Sequence, residues 1–165
     1  VPVISHQMSV IRKEKKMLSS LLKENRIRSF TEIEICKDRN IPQEYIENII
    51  PTIFLLQRVR DTLNLPITIN SSFRDEKQNK TVGGAKRSLH LVFNAIDFSV
   101  KSFLSSDYYQ LASFLRKDKY SFYLTFKKQS IEINKSVLGI GCYKNFIHLD
   151  TRGLLQRKSP VFWIK

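Results

Sequence analysis

The sequence predicts an α+β fold, with helices on one side of a largely antiparallel sheet. Three observations predict it. Helical periodicity dominates the chain up to about Leu63, and from Pro66 onward the pattern changes to short β-type runs with one further helical stretch. The composition, 165 residues with 42% hydrophobic and 11% aromatic side chains and only five Gly and five Pro, is that of one domain with a true core. It excludes a disordered basic tail, a linker and a collagen-like chain.

The elements follow in order. Met8 to Asn25 carries Met8, Ile11, Met17, Leu18, Leu21 and Leu22 opposite a dense basic face, which predicts an amphipathic first helix. The run Arg12-Lys13-Glu14-Lys15-Lys16 reads as its solvated side, since no aromatic side chain is interleaved for stacking. A polar stretch containing Cys36 separates it from a second helical pattern. That pattern opens after Pro42 and spaces Tyr45, Ile46, Ile49, Ile50, Ile53, Leu56 and Val59 along one face to about Leu63. Pro51 either kinks this helix or splits it. Strand-like runs are Ile67 to Asn70, Ala95 to Val100, Phe122 to Lys127, Ile131 to Ile133, and Leu138 to Asp150 with a break near Lys144-Asn145. A last helix, Asp107 to Lys117, follows an N-cap candidate at Ser106.

Charge and cysteines bound the partners. With 28 Lys+Arg against 15 Asp+Glu the formal charge is +13 and the pI about 9.9. This points to an anionic partner: nucleic acid, an acidic membrane surface, or a carboxylate-bearing substrate or polymer. No apolar run approaches the ~18 residues of a membrane span, and no helix-turn-helix, zinc-finger or aromatic stacking signature accompanies the charge. Cys36 and Cys142 match no C-x-x-C spacing and read as two buried thiols, a disulfide requiring an exported protein. The chain opens Val1-Pro2-Val3 rather than with Met, so removal of a preceding segment is expected. His6 carries no assigned role.

The chemistry concentrates in two strands. In Ala95 to Val100, alternation sends Ile96, Phe98 and Val100 to the core and Asp97 to the opposite face. In Phe146 to Asp150 the same arithmetic buries Ile147 and Leu149, and leaves His148 and Asp150 side by side on the other face. His90 lies seven residues before Asp97, at the end of a Gly83-Gly84 loop free to turn it toward that surface. Two His and one Asp suit zinc, with a fourth position left for water. The alternative is a satisfied histidine at position 148 and a turn or cap residue at Asp97.

An ordered series of motifs bears on that choice. Ser71-Ser72-Phe73-Arg74, Asn79, Val82-Gly83-Gly84-Ala85-Lys86, Ser88-Leu89-His90-Leu91, Ala95, Asp97, Gly139-Ile140-Gly141-Cys142-Tyr143 and Phe146-Ile147-His148-Leu149-Asp150-Thr151 resemble the zinc D-alanyl-D-alanine carboxypeptidase family, within the superfamily shared with the hedgehog signalling domain. The resemblance spans about Phe30 to Arg152. It implies a hedgehog/DD-peptidase-like fold, His90, Asp97 and His148 as ligands of Zn2+, and Arg74 as the arginine that meets a substrate carboxylate or the polarised carbonyl. It implies hydrolysis of peptide bonds in peptidoglycan stem peptides or cross-links, as carboxypeptidase or endopeptidase, of D,D- or L,D-type. Ser88 and Tyr143 are candidates for supporting the ligands or binding substrate. Asp150, expected in the catalytic set, is open to three roles: orienting His148, binding Arg74 or Arg152, or accepting the proton of the attacking water.

Three positions depart from the family pattern. Asn145 stands where better-known branches carry an acidic general base three residues before the second histidine, so the base is unassigned. Phe93 replaces a usual Gly and puts a bulky ring near His90, where it is expected to reshape the pocket or loop. Ser72 replaces a common Gly and is milder. The resulting expectation is a helical segment over residues 1–29 and a zinc peptidase-like domain over 30–165. A monomer is favoured, acting on peptidoglycan peptides or an anionic wall polymer and not on a specific nucleic acid. Its location would be the periplasm or exterior of a bacterium, or it would be phage-encoded. The alternatives are a catalytically silent zinc-containing module on the same fold and, less favoured, a basic nucleic-acid-binding domain.

Overall fold

A computed structural model describes residues 17–165. The first helix (α1, residues 17–24) is followed by α2 (Glu32–Cys36), a 3-10 segment (Gln43–Ile49), α3 (Ile50–Leu63), β1 (Ile67–Ser71) and α4 (Glu76–Thr81). A 3-10 turn (Leu89–Val92) leads into β2 (Ala95–Val100), then α5 (Ser105–Lys117), β3 (Phe122–Phe126) and β4 (Gln129–Ile133). The chain closes with β5 (Gly139–Cys142), β6 (Ile147–Asp150), a 3-10 turn (Arg152–Leu155) and β7 (Val161–Ile164). His6, the predicted helix before Met17 and the run Arg12 to Lys16 lie outside the described residues.

The fold is α+β: a five-stranded sheet in the order β1-β2-β6-β5-β7, with β3 and β4 forming a separate hairpin. Every pairing is antiparallel except β5 with β7. Ile96, Phe98, Ile140, Cys142, Ile147 and Leu149 line one face of the sheet. They bury against Ile53, Leu56, Leu111, Ala112 and Leu115 of α3 and α5, and Leu18 and Leu22 of α1 join the same core. Burying each such aliphatic side chain is worth about 1.5–3 kcal/mol.

Local chemistry sets the element ends. Thr31 and Glu34 form a reciprocal capping box that starts α2, a helix inside the predicted polar stretch. The long helix expected from Gln43 is split: a 3-10 segment runs to Ile49, and Pro51 falls in the first turn of α3, where its missing N–H costs nothing. The predicted Ser106 cap is displaced to Leu104, whose N–H donates to the Asp107 carboxylate at 2.7 Å. The predicted strands are present with small changes in extent, and β7 is an addition to them. Both cysteines are buried and neither is in a disulfide. No described helix is long and apolar enough to cross a membrane.

Candidate metal centre

The register of the sheet builds the site. Ser71 of β1 pairs with Asp97 of β2, Asp97 with His148 of β6, His148 with Gly141 of β5, and Gly141 with Trp163 of β7. One row across five strands therefore carries Ser71, Asp97, His148, Gly141 and Trp163 on the face opposite the core. The neighbouring row sets Asp150 between Ala95 and Gly139. This face is not open to solvent as alternation alone suggests: Asp97 is 7% exposed and Asp150 fully buried. Arg152 and Trp163 cover it, the guanidinium lying 5.4 Å from the indole centre.

His90 reaches the row from the 3-10 turn before β2. Ser88 caps that turn, its hydroxyl accepting from the His90 N–H at 3.3 Å, and the Arg74 N–H donates to the His90 carbonyl at 3.1 Å. The imidazole Nδ1 is held by the Ser72 carbonyl. Its Nε2 then lies 3.1 Å from Asp97 Oδ1 and 3.2 Å from His148 Nδ1, and these last two atoms are 2.8 Å apart.

The hydrogen-bond partners fix what those three atoms offer. A neutral imidazole has one N–H. His90 gives its proton from Nδ1 to the Ser72 carbonyl, and His148 gives its own from Nε2 to Asp150 Oδ2 at 2.9 Å. His90 Nε2, His148 Nδ1 and Asp97 Oδ1 are thus three lone-pair donors converging on one point, a repulsive arrangement unless a cation or an extra proton occupies it. Bonds of about 2.0–2.2 Å around tetrahedral zinc set donor edges of about 3.3–3.6 Å. The observed edges of 2.8, 3.1 and 3.2 Å fall short of this, so a small outward shift of the three side chains would admit the ion, and among the described residues these three could hold it.

Electrostatics divide the site. Burial lowers the His90 pKa below its usual value, with the Asp97 carboxylate opposing, and so favours the neutral ligating form. For His148, burial works downward but the hydrogen bonds and charges of Asp150 and Asp97 outweigh it and raise the pKa. Burial pushes both carboxyls up; bonds from His148 and His90 hold Asp97 well below the usual range. Bonds from Arg152 and His148 bring Asp150 down to about 2.

Asp150 is tied on both oxygens. Oδ1 accepts from Arg152 N at 3.1 Å and Nε at 2.8 Å, and Oδ2 accepts from Arg152 Nη2 at 2.7 Å as well as from His148. Its arginine is Arg152, not Arg74. Arg74 instead pairs through Nη2 with Asp97 Oδ2 and donates from Nε to Ser71 Oγ at 2.9 Å. Tyr143 stacks on Phe146 with ring centres 4.1 Å apart and accepts from Trp163 Nε1 at 3.2 Å. The Trp163 ring in turn lies 5.2 Å from that of His148. Tyr143 therefore touches the row through Trp163.

The departures from the family pattern also find their places. Phe93 ends the His90 turn with φ 54°, the left-handed conformation that explains why Gly is usual there. Its ring is not in the pocket. It is fully buried, edge-on to Phe73 with centres 6.2 Å apart, and the left-handed backbone costs it about 1 kcal/mol. The Ser72 hydroxyl bonds the Ile35 carbonyl and ties α2 to the site loop. Asn145 is exposed in the turn between β5 and β6.

Sequence reasoning missed the buried clamp behind the ligands. Thr52 Oγ1 donates to the Asn94 carbonyl at 2.7 Å and lies 3.0 Å from Thr151 Oγ1. The Asn94 amide donates to the Asn48 carbonyl and to Thr151 Oγ1 and accepts from the Thr151 N–H. These bonds fasten α3 and the 3-10 segment before it to the start of β2 and the end of β6, the strands that carry Asp97 and His148. Gly139 and Gly141 were legible only as motif letters. A Cβ on Gly139 would strike Arg152 and Asp150, and one on Gly141 the Trp163 ring, so the Gly-x-Gly spacing makes room for the covering residues.

A sheet that presents His, Asp and His as one convergent donor set defines a candidate metal-binding domain. The family model described as Peptidase M15 matches residues 26–150. The chain belongs to the peptidase M15 family, whose members are zinc D-alanyl-D-alanine carboxypeptidase-type enzymes. No curated protein matches it.

Proposed function

We propose that the protein is a zinc-dependent peptidase that cleaves a peptide bond in peptidoglycan stem peptides or cross-links, acting in the bacterial periplasm or exterior or delivered by a phage. The observation that carries this reading is the convergence of His90 Nε2, Asp97 Oδ1 and His148 Nδ1 at 2.8–3.2 Å, with both imidazole protons committed elsewhere. Bound there, zinc supplies a Lewis acid that polarises a carbonyl and brings the pKa of water toward neutrality. The chain's own residues do the rest. Ser72 and Asp150 hold the ligand tautomers, Arg152 neutralises Asp150, and Arg74 balances Asp97 while keeping Nη1 clear of the protein bonds it makes.

Asp150 acts as a positioning residue in this reading. It is fully buried and its oxygens are taken by His148 and Arg152, which leaves no lone pair directed at a substrate water. A second reading, a metal-holding binding module without activity, draws on the exposed Asn145 in place of an acid. Incubating zinc-loaded protein with purified sacculi, with products resolved by mass, tests the choice. New peptide fragments that disappear in His90→Ala support the peptidase; their absence in wild type favours the module.

A further inference from the structure

Beside the triad lies a groove of about 650 Å³ whose rim is basic. Its inner wall is the loop Ser71 to Arg74, the loop that bonds His90 through the Ser72 carbonyl and Asp97 through Arg74. Lys37 and Arg39 come from the end of α2, which Ser72 Oγ ties to that loop; Lys77 comes from α4 immediately after it. Lys37, Arg39 and Lys77 are all exposed, and among the described residues none has a carboxylate within ion-pair distance. The one acidic side chain in the groove wall, Asp75, already accepts from the Gln78 N–H at 2.8 Å to cap α4. Arg74 has its charge paired with Asp97 through Nη2 and its Nε on Ser71. Among the described residues, the positive charge next to the site that no carboxylate pairs is therefore on Lys37, Arg39 and Lys77.

We propose that this groove is the specificity site for an acidic peptide, in which Lys37, Arg39 and Lys77 bind a free carboxylate lying a few residues along the chain from the bond held at the triad. The inference rests on the peptidase reading for the identity of its ligand, stem peptides being rich in free carboxyls. Three cations on two tethered elements form a fixed positive field. Exposed charge pairs contribute modestly one by one, so a combined effect of about tenfold in affinity is expected at low salt.

The test uses zinc-loaded full chain and two probes: a stem pentapeptide with free carboxyls, and the same peptide with its internal and side-chain carboxyls converted to carboxamides. Calorimetric titration should show the free acid binding about tenfold tighter, a preference that 0.5 M salt removes. The K37Q/R39Q/K77Q variant should fold and hold zinc like wild type, bind both peptides at the carboxamide level, and raise KM for the acid about tenfold with kcat unchanged. Equal affinity of wild type for the two probes overturns the proposal, as does a variant that keeps the preference. If wild type prefers the acid but hydrolyses neither peptide, the groove stands and the peptidase reading falls.

Discussion

Replacing Asp150 with Asn separates the two roles open to that carboxylate. The substitution preserves shape, removes the charge that pairs with Arg152, and puts an amide N–H within reach of His148 Nε2, which then has reason to surrender its proton to Nδ1, the ligating atom. Two costs follow. A carboxyl held at about 2 against an ordinary 3.8 represents roughly 2 kcal/mol of preferential stabilisation of the charged form, at about 1.4 kcal/mol per tenfold. Loss of an orienting partner typically lowers metal affinity 10–100-fold. The sign of the pH effect is set by a folded pKa below the unfolded one: the stability is fully present above about 3.8 and is lost as pH falls through about 2. Denaturant unfolding of metal-free protein between pH 2.5 and 5 should therefore show a smaller rise of stability with pH in Asp150→Asn than in wild type. Competition with a chromophoric chelator at neutral pH should show the affinity loss. A variant that binds zinc within twofold of wild type, yet hydrolyses nothing, would refute the orienting role and make Asp150 the base.

Other substitutions probe the remaining parts. Gly141→Ala places a methyl against the Trp163 ring and should cost about 1–3 kcal/mol in thermal or denaturant unfolding, recovered in part by adding Trp163→Leu; an unchanged midpoint would contradict the packing. At Phe93, Ala and Gly both remove a buried ring at about 3–5 kcal/mol, but Gly relieves the left-handed backbone. Phe93→Gly should then be the more stable of the two by about 1 kcal/mol, and the reverse order in equilibrium unfolding counts against the strain. Asn94→Ala strands several buried partners and should cost about 3 kcal/mol or more and weaken zinc binding, whereas stability within 1 kcal/mol of wild type would discount the clamp.

Much of the site was legible because it lies on strands of regular period. The alternation in Ala95 to Val100 and Ile147 to Asp150 puts Asp97, His148 and Asp150 on one face, and the structure pairs those strands in register. Alternation does not reveal what covers that face. The cover comes from Trp163 on β7, a four-residue edge strand that joins β5 in parallel, and such a non-local pairing leaves little trace in so short a run. The Thr52–Asn94–Thr151 clamp was invisible for a related reason, since its hydrogen bonds link residues 42, 57 and 99 positions apart. Phe93 shows the opposite case. Sequence flagged the position, but the left-handed backbone turns its ring into the core rather than into the pocket.

Zinc binding by the triad is the claim on which the rest depends. Protein stripped with a chelator, dialysed against micromolar zinc and assayed by elemental analysis should carry one zinc per chain, and His90→Ala, Asp97→Ala and His148→Ala should each lose it while Tyr143→Phe retains it. Wild-type protein that takes up no zinc, or a triad variant that retains a full equivalent, would contradict the account.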